Sequence, residues 1–297
     1  MAQARNVALL VALGVGWGST QPLGKIAAST GHPPFALIFW QLLICTLVLG
    51  AITLARGKRL PLTPRALVFY VVVALLGTLI PNYTFYVSVA RLPAGIMSIL
   101  ISTVPLMAFP LSLALGLDRF EARRLLGLLL GLAGVALIAL PAASLPDPAM
   151  VAFIPLAMVG PLFYAMEGTF VNRFGTAGMD PVQAMAGASA MGLILCVPLV
   201  LGLGQWVDPR AVDFGAAEVA LLGSSALHGL LYATYVGLAA RAGAVFASQT
   251  SYIVTAAGIL WAMALLGESF SSWVWLAVAV MLAGLTMVQP RAAVRQG

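Results

Sequence analysis

Charged residues are scarce in this chain. Asp, Glu, Lys and Arg together make up 8% of its 297 residues, where a soluble domain carries about a quarter. A water-facing surface of ordinary composition cannot be assembled from so few. There are two cysteines, Cys45 and Cys196, each inside an apolar run, which excludes a disulfide framework and a cysteine-based metal site. Two histidines, His32 and His228, are too few for a histidine metal cluster, so neither metal nor cofactor is expected. The motifs HExxH, GxGD and GxSG are absent, which argues against an intramembrane enzyme. No GxxxxGK loop is present, so any pumping must draw on gradients rather than ATP.

Hydrophobic residues make up 62% of the chain and the mean hydropathy is +1.04. Lipid is the only solvent that suits this composition, and in lipid only helices or closed barrels can span. Barrel strands alternate over about ten residues, whereas these apolar runs are continuous over about 20, the length of a membrane-crossing helix. Ten spans are predicted, at roughly 5–28, 33–55, 66–90, 93–115, 121–140, 150–173, 181–203, 216–240, 243–266 and 270–290. The first is too long for a signal-peptide core and is read as a span. Pro33, Pro64, Pro93 and Pro181 stand near span starts, where a missing N–H costs nothing.

The net charge of +6 reads as topology, not as nucleic-acid binding, because the basic residues sit in short loops. With the N-terminus in the cytoplasm, twelve of the fifteen Lys and Arg fall on the cytoplasmic side; only Lys25, Arg91 and Arg210 do not. Both termini are then cytoplasmic. The stretch from Ala90 to Ile138 is echoed 148 to 150 residues later: Gly95 answers to Gly243, Asp118 to Glu268, and Leu132-Ala133-Gly134 to Leu282-Ala283-Gly284. This divides the chain into halves, 1–145 and 146–297, of five spans each. An odd number of spans turns the second half upside down relative to the first. The expected fold is therefore an all-α integral membrane protein of ten transmembrane helices in two inverted five-helix repeats. Such repeats are the architecture of alternating-access transporters, with the substrate near the midplane.

Trp17-Gly18-Ser19 and the passage from Ala94 to Val135, with its counterpart Gly267-Glu268…Ala283-Gly284, resemble the ten-helix EamA-type branch of the drug/metabolite transporter superfamily. The chain departs from the module at Asp118, where glutamate is usual, and at Tyr164, which takes the tryptophan's place. The resemblance implies metabolite export across a bacterial-type inner membrane. Within the superfamily the chain is most similar to the aromatic amino-acid exporters.

Polar residues inside spans cost free energy in hydrocarbon, so they mark candidate sites. Thr78, Asn82 and Tyr86 share one face of span 3, and Ser225, His228, Tyr232 and Tyr235 share one face of span 8. Span 4 offers Ser98, Ser102 and Pro105; span 9 offers Ser248, Ser251 and Thr255. These stripes read either as a shared cavity or as hydroxyls that hold helices together. Gln41 and the mid-span aromatics Trp17, Tyr83, Tyr164 and Trp261 complete the candidate substrate site. Glu167, the acidic residue inside span 6, reads as a coupling or substrate-amine carboxyl, or as a structural one. Lys25, near the end of span 1, reads as a snorkelling side chain. Pro81, Pro105, Pro110, Pro155, Pro161 and Pro198 fall inside spans and are expected to bend them. Gly14/Gly18 and Gly127/Gly131 are expected at close helix contacts.

A cavity poor in fixed charge and rich in aromatic surface favours neutral, apolar or aromatic amino acids as the exported cargo. The alternative cargo is a lipophilic organic cation, as in a multidrug exporter. The expected partners are a small-molecule substrate and the lipid bilayer.

Overall fold

A computed structural model of the chain describes residues 2–139, 145–242 and 250–288, and every regular element among them is helical. Helices α1 (Ala2–Ala28) and α2 (Pro34–Ala55) cross in one piece. The third span joins α3 (Pro64–Ala74), a π turn (Leu75–Leu79) and α4 (Ile80–Val89). The fourth joins α5 (Ala94–Ile101) and α6 (Val104–Ala114). After α7 (Ala122–Ala139), a 3-10 turn (Pro148–Phe153) leads into α8 (Ile154–Phe174). Then come α9 (Pro181–Gly202), α10 (Ala216–Ala242), α11 (Thr250–Leu266) and α12 (Ser272–Met287). Eight segments are at least 18 residues long and apolar enough to cross a bilayer, and α11 and α12 are shorter apolar helices of 17 and 16 residues. The chain is an all-helical membrane protein with ten apolar helical segments. Ser248, Arg291 and Arg295 lie outside the described residues.

The proline signals work as local chemistry. Thr63 caps α3 by accepting from Ala66 N, with Pro64 in the first turn. Asp180 caps α9 by accepting from Val182 and Gln183 N, while the Gln183 side chain accepts from Asp180 N, a reciprocal capping box. Two interruptions were not foreseen in detail. Pro81 lacks the N–H an α-helix would offer to Gly77 O, and the preceding turn widens into the π form. At Ser102 and Thr103 the helix breaks ahead of Pro105, and both hydroxyls turn back to donate to Ile99 O (2.7 Å) and Leu100 O (2.6 Å).

The helices pack in a pattern that pairs the two halves. Helix α1 lies against α10 and α11, and α8 lies against α4, α5 and α6. Helix α2 packs on α10, and α9 on α3; α2 meets α9, α5 meets α11, and α7 meets α12. Small residues let these backbones approach. A Cβ built on Gly18 would lie 2.7 Å from Gly258 N, and one on Gly127 would lie 2.6 Å from Gly284 O. Leu37, Ile38, Leu42, Leu92, Ile96 and Leu100 are among the core residues that fill the space between.

One end of the bundle, the predicted cytoplasmic end, is tied by Asp180. Lys58 Nζ donates to its carboxylate at 2.5 Å, and Arg56 Nη1 lies 3.6 Å away. Burial works to raise the Asp180 pKa, but the Lys58 hydrogen bond, the two backbone N–H groups and the Arg56 charge outweigh it. The carboxyl is held below its ordinary range. A depressed folded-state pKa adds stability that is complete above the unfolded value, about pH 4, and is lost as pH falls through the lower folded value. Asp180→Asn keeps the cap, since asparagine caps as well as aspartate, and removes the ion pairs. Melting in detergent should therefore steepen below pH 4 in the wild type and stay flatter in the variant. Equal acid sensitivity would contradict this assignment.

Candidate functional site

The polar centre of the bundle is a chain of side chains from three helices. Gln41 Oε1 of α2 accepts from Asn82 Nδ2 and from Tyr86 OH of α4, both at 3.1 Å, and Tyr164 OH of α8 donates to Asn82 Oδ1 at 3.3 Å. A cavity opens beside this chain. Thr20, Gln21 and Gly24 of α1 line it, with Phe85 of α4, Met97 and Ile101 of α5, Gly160 and Pro161 of α8, and Ser224 and His228 of α10. No Asp, Glu, Lys or Arg is among the lining residues. Gln21 and His228 have no side-chain hydrogen-bond partner among the described residues, and both stand at the cavity wall as potential donors and acceptors.

The cavity measures about 70 Å³, well short of the ~300–1,000 Å³ of a site that encloses a drug-sized ligand. A drug-sized ligand would fit here only if the surrounding helices parted.

Of the candidates read from sequence, Gln41, Asn82, Tyr86, Tyr164 and His228 meet here. The others do not line the cavity. Thr78 sits in the π turn, where the extra residue per turn breaks its alignment with Asn82 and Tyr86. Tyr83 is 38% exposed and stacks on Phe35, centroids 4.9 Å apart. Trp17 and Tyr235 pair with each other at 5.3 Å. Tyr232 packs against the core cluster around Phe69 and Tyr70. Ser98 is fully buried and donates to Ala94 O, and Ser102 donates to Ile99 O; both act within the helix. Ser251 serves through its carbonyl, which accepts from Thr255. The Trp261 indole donates to Val15 O, 3.1 Å away, joining α11 to α1. Thr20, Gln21 and Ser224 were missed; the amide of Gln21 in an apolar run carried the same signal as that of Gln41.

Glu167 lies next to the cavity, one turn along α8 from Tyr164, and is 7% exposed. It has neither an ion-pair partner nor a hydrogen-bond partner among the described residues. Its carboxylate rests on the π turn: a Cβ on Gly77 would sit 2.6 Å from Glu167 Cδ. The backbone of α3–α4 thus leaves a glycine-sized place for this carboxyl.

The opposite end of the bundle carries a charged junction. Both oxygens of Glu268 accept from the first N–H groups of α5, Ala94 N at 2.7 Å and Gly95 N at 3.0 Å. Lys25 Nζ lies 3.8 Å from Glu268 and donates to Leu92 O at 2.6 Å. Lys25 is therefore not a free snorkelling side chain: its partners come from loops distant in sequence. Asp118, which corresponds to Glu268 in the other half, instead pairs with the buried Arg124 and accepts from Arg119 N.

The sequence profile described as the EamA-like transporter family matches residues 5–140 and again residues 152–289. The chain belongs to this family. The "uncharacterized inner membrane transporter YedA" of Escherichia coli strain K12 is 27% identical over 288 residues, spanning 94% of this chain and 89% of the relative. The YedA proteins of strains O6:H1 and O157:H7 match to the same extent. A chain of known crystal structure aligns over 94% of both chains with a TM-score of 0.65 at 18% identity, which speaks for the fold alone. This EamA-like chain is a membrane transporter, and the family and the relatives indicate transport in place of enzymatic activity.

Proposed function

We propose that this transporter exports neutral, largely apolar amino acids, aromatic ones included, across the inner membrane by alternating access. The observation that carries the reading is the cavity lining. It holds no formal charge, it presents the linked amides and hydroxyls of Gln41, Asn82, Tyr86 and Tyr164, and it is otherwise walled by Phe85, Met97, Ile101 and Pro161. A strongly charged cargo would be left uncompensated there, at a high cost in low dielectric. A zwitterion needs only local donors and acceptors, and an aromatic side chain gains from ring contacts beyond its buried area. The resemblance to aromatic amino-acid exporters supports the same cargo. Counterflow of labelled phenylalanine into proteoliposomes tests it directly.

The halves 1–145 and 146–297 act as the two arms of this exchange, inverted relative to each other, with both termini in the cytoplasm. The paired helix contacts support this division, since each contact of α1 with α10 and α11 has its counterpart in α8 with α4 and α5. The distribution of Lys and Arg supports the orientation, and the YedA description supports the inner membrane.

A second reading, an organic-cation exporter, is favoured by one observation: Glu167 is buried beside the cavity without a partner. In the amino-acid reading this carboxyl is the proton-coupling group. Glu167→Gln should then flatten the pH profile of transport while phenylalanine still crosses by counterflow. An unchanged pH profile would return Glu167 to a structural role.

A further inference from the structure

A second concave surface lies away from the cavity, at the Asp180 end of the bundle. It is a groove of about 960 Å³ between the start of α3 and the end of α8, walled by Pro64, Arg65 and Val68 on one side and by the 175–178 loop on the other. Its floor is an aromatic run: the ring centroids of Phe69 and Phe170 are 6.2 Å apart, and those of Phe170 and Phe174 are 5.1 Å apart. Phe174 is 66% exposed and Val68 58%. Arg173 lies over the Phe174 ring at 5.5 Å. Neither Arg65 nor Arg173 has a carboxylate partner among the described residues.

The loop itself is held in an unusual shape. Gly175, Ala177 and Gly178 all have positive φ, and Ala177, at 53°, is the one non-glycine residue among the described residues that does. An L-residue in that region is strained. The shape leaves the N–H groups of Thr176, Ala177 and Gly178 without hydrogen-bond partners among the described residues. Successive free N–H groups beside guanidinium groups form an anion-binding concavity.

We propose that this groove binds an anionic phospholipid from the leaflet it faces. One acyl chain lies along Phe69, Phe170 and Phe174, and the phosphate is held by Arg65, Arg173 and the loop N–H groups. The groove spans the ends of two membrane-crossing helices, so its charged rim and its aromatic floor stand at headgroup and acyl depth respectively. A purely apolar helix face contacts any lipid alike. Unpaired cations at the rim add a preference for negative headgroups, as in the basic pockets that select such lipids between membrane helices.

The test is native mass spectrometry of the full-length transporter supplied with phosphatidylglycerol and phosphatidylcholine of identical acyl chains. Phosphatidylglycerol should be retained over phosphatidylcholine by at least about tenfold, and Arg65→Ala with Arg173→Ala should reduce that preference to about twofold or less. A photoreactive phosphatidylglycerol on the wild-type protein should label peptides 64–70 and 170–178, which needs no variant. Equal retention of the two lipids, an undiminished preference in the double variant, or labelling confined to other helices would overturn the proposal. Displacement of the lipid by inorganic phosphate would mark a simple anion site and overturn it as well.

Discussion

Gln41→Leu is expected to reduce phenylalanine transport by at least about tenfold. Gln41 Oε1 is the shared acceptor of Asn82 Nδ2 and Tyr86 OH, so leucine orphans two donors at once. Asn82 and Tyr86 are 8% and 5% exposed, and each buried unsatisfied polar group costs about 1–3 kcal/mol. Since about 1.4 kcal/mol is a factor of ten, distortion at one of them is enough to produce that loss if the cavity is the proposed cargo site. Tyr83→Leu, three residues before Tyr86, is the matched control. Tyr83 faces outward against Phe35, and its loss should change flux by no more than about twofold, in keeping with an exposed surface substitution. Initial counterflow rates, normalised to monodisperse protein, read both. Equal losses in the two variants would remove the Gln41–Asn82 network from the transport path.

Glu268→Ala is expected to open the Lys25 end of the bundle. The carboxylate supplies acceptors to two N–H groups at the start of α5 and a counter-charge to Lys25. Hydrogen bonds to charged groups contribute about 1.5–3 kcal/mol each, so losing both shifts the closed–open balance at this end by a factor of ten or more. Lys25 donates to Leu92 O and holds the same junction from α1, so Lys25→Met should act in the same direction with a smaller effect. The readout is the rate at which an impermeant maleimide labels a cysteine placed at Met97, in a background lacking Cys45 and Cys196. Met97 lines the cavity and is 4% exposed. Labelling should accelerate at least about tenfold in Glu268→Ala. An unchanged rate would mean that the junction ties loops together without gating the cavity.

The ten spans were legible because lipid imposes one simple requirement: about 20 apolar residues and satisfied backbone groups. Proline and its flanking caps fixed several starts, as at Thr63-Pro64 and Asp180-Pro181. The polar residues that gather at the candidate cavity were legible for a related reason. Gln41, Asn82 and His228 are expensive in hydrocarbon, and such residues seldom face lipid. Tyr86 and Tyr164 joined them, but the other aromatic candidates fared differently. Tyr83 and Trp261 sit mid-span, but an aromatic ring packs as readily against lipid or a neighbouring helix as against a cavity, and one carbonyl such as Val15 O satisfies its polar atom, so its depth says little about a cavity. Thr78 failed through a backbone irregularity, since a π turn shifts every later residue around the helix. Lys25 was undervalued because Leu92 and Glu268 are remote in sequence, and no local pattern points to them.

Competition in counterflow tests the assigned cargo most directly. Proteoliposomes loaded with unlabelled phenylalanine should take up labelled phenylalanine, and excess external tryptophan should suppress that uptake while a quaternary amine leaves it intact. The proposal that a zwitterion is seated in the uncharged cavity around Gln41 and Asn82 predicts that order of preference. Suppression by the quaternary amine, with tryptophan and phenylalanine without effect on each other, would contradict the amino-acid reading and make Glu167 the cation's partner.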